Sequence, residues 1–129
     1  MKKKYLIVIA NYYKDISKGL LSSALKIIPK NNLTRVIQVP GVFEIPVTIS
    51  KNIKKYDGFL ALGCVIKGET PHFDFISAST TSAIMNLSIN HKKPIGNGII
   101  TCLNMRQAKA RKKKGVEAAN AVISILSQK

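Results

Sequence analysis

The chain has 129 residues, 46% of them hydrophobic, which fits a single domain over residues 1–129 with a proper core. Its 21 Lys and Arg against 6 Asp and Glu give a formal net charge of +15, a balance that attracts phosphorylated molecules or nucleic acid without choosing between them. No apolar run reaches membrane-spanning length, and the short apolar stretch 6–10 behind Lys2, Lys3 and Lys4 is too brief for a signal core, so a cytoplasmic protein is expected.

Residues 4–10 are a β-branched apolar run and predict a strand. Ile16, Leu20, Leu21, Ala24, Leu25 and Ile28 recur at helical spacing and predict an amphipathic helix over 15–28, which Pro29 and Asn31-Asn32 end. A second strand follows at 33–39, and Pro40-Gly41 reads as a turn. Val47, Ile49 and Ile53 give 43–55 a helical pattern, in which Pro46 is tolerable near the first turn. The third strand, 57–66, contains the uncharged run Phe59-Leu60-Ala61-Leu62, as expected where both faces are covered.

Gly68 breaks that strand. Thr70 can cap the next helix and Pro71 suits its first position. A long helix is predicted over 72–90, and its many small residues, Ser77, Ala78, Ser79, Ser82 and Ala83, permit close packing. Residues 95–103 form a fourth strand. Asn104 opens another helix, with Gln107 three residues on as in a capping box. Gly115 interrupts it, and 116–126 completes the chain with Ala118, Ala119, Val122, Ile123 and Leu126 on one face. Cys64 and Cys102 fall in apolar strand runs and read as buried free thiols without metal-ligand spacing.

Strand and helix alternate throughout, which implies an α/β fold with a parallel sheet covered on both faces: a three-layer α/β/α sandwich. Ligands in such sheets bind beyond the carboxyl ends of the strands. Polar motifs fall at those ends: Asn11-Tyr12-Tyr13, Gly41-Val42-Phe43-Glu44, Lys67 to His72, and Asn104. The free N–H groups at the helix start near Thr70 favour an anion such as phosphate, and His72 puts a proton-transfer group beside them. The basic runs at 2–4, 51–55, 92–93 and 109–114 do not interleave aromatics as a base-stacking platform would, so charge alone argues poorly for nucleic acid.

The motifs Pro40-Gly41-Val42-Phe43-Glu44-Ile45-Pro46, Gly63-Cys64-Val65-Ile66-Lys67-Gly68-Glu69-Thr70-Pro71-His72-Phe73-Asp74, Asn104-Met105-Arg106-Gln107-Ala108-Lys109-Ala110-Arg111 and Lys114-Gly115-Val116-Glu117-Ala118-Ala119 occur in this order over essentially the whole chain. Together they resemble the lumazine synthase family of riboflavin biosynthesis. The resemblance implies a four-stranded parallel sheet of flavodoxin-like strand order. It implies condensation of 5-amino-6-(D-ribitylamino)uracil with 3,4-dihydroxy-2-butanone 4-phosphate to give 6,7-dimethyl-8-ribityllumazine, phosphate and water, with no metal and no organic cofactor. It further implies a homopentamer whose active sites lie between neighbouring subunits, and it raises riboflavin synthase as a further partner.

By the same resemblance, His72 is the proton-transfer residue, whereas His91, beside Lys92-Lys93, reads as a solvated helix end. Tyr12 matches the aromatic that stacks on the pyrimidine. Val42, Phe43 and Glu44 match the stretch that holds the ribityl chain, and Cys64, Val65 and Ile66 the strand end that reads the pyrimidine edge. Arg111 and the backbone at Glu69 and Thr70 match the phosphate contacts. Asn97 stands where many members have Phe, so hydrogen bonding would replace stacking on that wall. Lys114 and Glu117 are further candidates, Glu117 to orient His72 or to pair with Arg111. Only Met1 to Lys3 precede the first strand, from which a free pentamer is expected, with a decamer or sixty-subunit shell as alternatives. The readings from other classes are a flavodoxin-like binding domain, which does not need the His72 and Arg111 pair, and a basic nucleic-acid-binding module.

Overall fold

The computed structural model describes residues 2–68 and 71–128. Its centre is the strand pair β1 (Lys4–Ala10) and β3 (Gly58–Ile66), which run parallel with Val8 beside Ala61. β1 is buried from Tyr5 to Ala10 and β3 from Gly58 to Cys64. That is why both read as unbroken apolar runs rather than as alternating ones. β2 (Leu33–Val39) lies on the far side of β1 and β4 (Ile95–Cys102) on the far side of β3, so the strand order is β2-β1-β3-β4, all parallel.

The period of two along β1 sorts its side chains into two cores. Tyr5, Ile7 and Ile9 join Leu60, Leu62 and Cys64 under α1 (Lys14–Ile27) and α5 (Gly115–Leu126), which contribute Ile16, Leu20, Ala24, Ala118, Ala119 and Val122. Leu6, Val8 and Ala10 join Phe59 and Ala61 on the other face, under Ile45 and Ile49 of α2 (Ile45–Asn52) and Ile84 of α3 (His72–His91). The expected three-layer α/β/α sandwich is therefore the fold.

Local chemistry sets three helix boundaries. The helical pattern beginning at Phe43 divides into a 3-10 turn, Val42–Glu44, and α2, with Pro46 in the first turn of the latter. α3 begins at His72, as expected. Pro71 precedes it, and its carbonyl accepts from the N–H groups of Asp74 and Phe75. The fourth helix, α4 (Met105–Ala110), stops well before Gly115. Arg111, Lys112, Lys113 and Lys114 follow it, four cations with no apolar side chain to bury and with like charges that repel at helical spacing. Asn104 caps α4 as expected, accepting from Gln107 N–H at 2.9 Å. The Gln107 side chain returns to Leu103 N–H at 2.8 Å, one residue before the cap.

α5 reaches the sheet and α1 through glycines. A Cβ on Gly96 would run into the carbonyl oxygen of Ala118. One on Gly115 would run into the carbonyl oxygen of Leu20 and come within 3.0 Å of Ala24 N, backbone that cannot yield as a side chain does. By contrast α3, 20 residues long, buries only Thr80 and Ile84 and leaves Phe75, Met85 and Ile89 exposed. An apolar helix with so little cover presents a face for a partner. Among the described residues, no helix is long and apolar enough to cross a membrane.

Gly115→Ala is expected to lower stability by roughly 1–3 kcal/mol or more through overpacking. Gly68→Ala, where an added Cβ meets nothing within 4 Å among the described residues, should be near neutral. Urea unfolding of the two variants checks this, and equal midpoints would contradict the tight α1–α5 crossing.

Candidate active site

The loops that leave β1, β2 and β3 all emerge at the same end of the sheet, because the strands are parallel and adjacent. They enclose a pocket of 350 Å³. Tyr12 and Tyr13 come from the turn after β1; Gly41, Val42 and Phe43 come from the turn after β2. Cys64, Val65 and Ile66 close β3, and His72 and Ile76 open α3. Seven of the residues expected in the site thus share one pocket: Tyr12, Val42, Phe43, Cys64, Val65, Ile66 and His72. Two aromatic rings stand open to solvent at its mouth, Tyr12 at 74% exposure and Phe43 at 63%, available to cover a planar ligand. Tyr12 is braced edge-on by Tyr13, with ring centroids 4.9 Å apart at 82°.

Glu44 ends the 3-10 turn beside the pocket. Its N–H donates to the Gly41 carbonyl at 3.2 Å, and its Oε1 lies 3.1 Å from where a Gly41 Cβ would be. A glycine at 41 therefore leaves room for that carboxylate. The end of β3 is held by Lys67 N–H donating to the Cys102 carbonyl at 2.9 Å. Glu69 and Thr70, expected to contact phosphate, lie outside the described residues.

The remaining expected residues sit elsewhere on the chain. Asn97 is exposed on the edge strand β4, where its Oδ1 accepts from Ile99 N–H at 3.0 Å. Arg111 follows α4, its Nη1 donating to the Thr101 carbonyl at 3.4 Å, and lines a separate hollow of 270 Å³ with Ala110, Lys113, Lys114 and Glu117. Glu117 pairs with Lys114 at 3.9 Å. Lys112 turns onto α1, 3.6 Å from the Asp15 carboxylate. One chain thus brings His72 together with the aromatic and β3-end residues, and does not bring Arg111 or Asn97 into that pocket.

The comparisons with known proteins agree with this architecture. Residues 2–129 match the family model of 6,7-dimethyl-8-ribityllumazine synthase. The chain is 43% identical to the 6,7-dimethyl-8-ribityllumazine synthase of Bartonella henselae, over 99% of this chain and 89% of that one. It is 40% identical to that of Agrobacterium fabrum, over 100% of this chain and 97% of the other, and 40% identical to that of Bartonella bacilliformis, over 96% and 88%. The chain belongs to the 6,7-dimethyl-8-ribityllumazine synthase family. It is a lumazine synthase enzyme of riboflavin biosynthesis.

For a lumazine synthase the pocket contains three further residues: Tyr13 and Gly41, which belong to the strand-end motifs without a role of their own, and Ile76. Ile76 was legible in principle, since it lies one helical turn beyond His72 and shares its face. Tyr13 was hidden by its neighbour, because side chains next to each other in a turn carry no fixed direction.

The floor of the pocket is chemically quiet. Cys64 and Cys102 are free thiols on the same face of adjacent strands, because Cys64 pairs with Ile100 and Cys102 lies two residues on. Burial, and then the neighbouring Cys102, push the Cys64 thiol up to about 12. Burial also raises the Tyr13 hydroxyl, with smaller contributions from Cys64 and Tyr12. Both groups therefore serve as neutral walls. For Cys64 the unfolded thiol ionises near 9.0 and the folded one near 12, so its contribution to stability is intact below pH 9 and is lost as pH rises from 9 to 12. Thiolate absorbance of a Cys102→Ala variant should show Cys64 still protonated at pH 9 in the folded protein and half-ionised there after unfolding. A folded-state thiolate signal at pH 9 would contradict a desolvated pocket floor.

Proposed function

We propose that the pocket at the carboxyl ends of β1, β2 and β3 binds 5-amino-6-(D-ribitylamino)uracil and condenses it with 3,4-dihydroxy-2-butanone 4-phosphate. The observation that carries this reading is the convergence of Tyr12, Phe43, Cys64, Ile66 and His72 on one 350 Å³ space. Tyr12 offers the face for the pyrimidine. Main-chain N–H and C=O groups at Cys64, Val65 and Ile66 offer paired donors and acceptors for its edge. Val42, Phe43 and Glu44 receive the ribityl hydroxyls. His72, at the first residue of α3, moves protons during imine formation and enolisation. The positive end of that 20-residue helix attracts the substrate phosphate and eases its departure, with Glu69 and Thr70 as the backbone contacts.

Arg111 and Asn97 enter this reading from a neighbouring copy. Both sit on the β4 side of the sheet, next to the exposed face of α3, where Ser77, Ala78, Ser82, Met85 and Thr101 line an open hollow of 560 Å³. Exposed apolar residues on α3 and small ones around them suit close helix packing between subunits. A head-to-tail contact of this kind closes into a ring, and a pentamer is the ring we propose. The guanidinium then clamps the phosphate bidentately, and Lys114 reinforces it. Much of the acceleration comes from holding two substrates in one orientation. The same reading includes a cytoplasmic location, no metal or organic cofactor, and hand-over of the product to riboflavin synthase.

Lumazine fluorescence tests the activity. His72→Ala should lower kcat by about 10²–10⁴-fold. Arg111→Ala should raise KM for the phosphorylated substrate by about 10–100-fold, the worth of charge-assisted hydrogen bonds of roughly 1.5–3 kcal/mol. The shared site makes a further expectation: at phosphorylated-substrate concentrations well below the KM of the Arg111→Ala variant, unfolding, mixing and refolding the two impaired variants together should restore activity at about a quarter of sites, those that draw His72 from one parent and Arg111 from the other across a heterologous interface. Mixed assemblies without recovered activity would show that both residues act within one chain or that one of them is not in the site.

A further inference from the structure

The end of the sheet remote from the pocket carries most of an unassigned cationic site. Lys4 opens β1, Thr34 and Arg35 lie near the start of β2, and Lys54, Lys55 and Tyr56 lead into β3. These residues, with Leu33, surround one cavity of 560 Å³. That volume is within the ~300–1,000 Å³ typical of small-molecule pockets. The active-site pocket opens at the other end of β1, about 20 Å away over seven extended residues.

Four cations from three separate segments face this space. The adjoining carboxylate, Asp57, is tied to the backbone, its Oδ2 accepting from the Lys4 N–H at 2.8 Å, so one negative charge stands beside four positive ones. Bringing like charges together this way costs stability unless an anion relieves it. Arg35 can grip a phosphate bidentately, the lysines act as movable point charges, and the Thr34 hydroxyl can donate to a further oxygen. Tyr56 is packed edge-to-face on Phe59, centroids 6.1 Å apart, and is half-buried, so it serves as a wall and not as a stacking platform. The cations ring a hollow instead of running along a groove, which favours a short chain of phosphates over a polynucleotide track.

We propose that this amino-terminal cavity, through Lys4, Arg35, Lys54 and Lys55, binds a small oligophosphate anion such as the triphosphate group of a nucleotide or free tripolyphosphate. The site gives a local purpose to part of the +15 net charge and stands independently of the condensation chemistry.

Calorimetric titration at physiological ionic strength tests it, with separate arms for tripolyphosphate, ATP, inorganic phosphate and a single-stranded oligonucleotide. The expected result is saturable binding of tripolyphosphate and ATP, one per chain, with inorganic phosphate at least about tenfold weaker. The triple variant Arg35→Gln, Lys54→Gln, Lys55→Gln should lose at least about tenfold in affinity while forming lumazine at the wild-type rate, which shows that it is folded. Lys18→Gln, Lys26→Gln, Lys92→Gln removes the same charge elsewhere and should bind as wild type, as should Arg111→Ala. No saturable binding at that salt, equal losses in the two triple variants, loss in Arg111→Ala, or tighter binding of the oligonucleotide than of tripolyphosphate would each overturn the proposal. If ATP binds but tripolyphosphate does not, recognition lies in the base and the proposal also fails.

Discussion

The structure depends on four strands running the same way, with β1 between β2 and β3. Parallel pairing sends the chain across a face of the sheet after each strand, so every loop that follows a strand emerges at one end. Because β2, β1 and β3 are neighbours, Phe43, Tyr12 and Ile66 become neighbours too, although more than fifty residues separate Tyr12 from Ile66. The central strands supply rigidity through two cores, and the site is built on their ends without asking any loop to hold itself in place.

The two faces of the sheet are used differently. Under α1 and α5 the packing is tight enough that Gly96, Gly98 and Gly115 leave no space for a methyl group, and helix backbone lies against strand and helix backbone. Under α2 and α3 the cover is thinner. α3 leaves Phe75, Met85 and Ile89 in solvent, and Val47 of α2 is exposed with them. A chain that closes one face so completely and leaves the other apolar is shaped for association. The site residues follow the same division: the aromatic and strand-end groups meet within a chain, whereas Arg111, the phosphate ligand we propose, lies outside their pocket.

Much of this architecture is legible in the sequence. The strands at 4–10 and 33–39 coincide with β1 and β2, since buried β-branched runs bounded by polar turns leave little choice. The position of the site was legible for a reason of topology: polar motifs after strands fall together once the strands are parallel. What failed was local. The cationic run after Ala110 unwinds a helix that the Asn104 cap starts correctly, because charge repulsion among 111–114 outweighs propensity. Gly115 marked a break for the wrong reason, as its need comes from the backbone of Leu20, which is ninety-five positions earlier. The pairing of Lys112 with Asp15 likewise rests on a contact no spacing announces, whereas that of Glu117 with Lys114 follows from their three-residue separation. For the residues of the site, sequence order alone could not say which would meet inside one chain and which would face outward from it.

The central claim is that a catalytic unit is formed by two copies, with the His72 pocket of one completed by Arg111 of the next. A crystal structure of the assembled protein soaked with inorganic phosphate tests this most directly. Density for the anion is expected between the first turn of α3 in one protomer and the guanidinium of Arg111 from its neighbour, within hydrogen-bond reach of both. An assembly in which Arg111 faces solvent, remote from every α3 start, would contradict it.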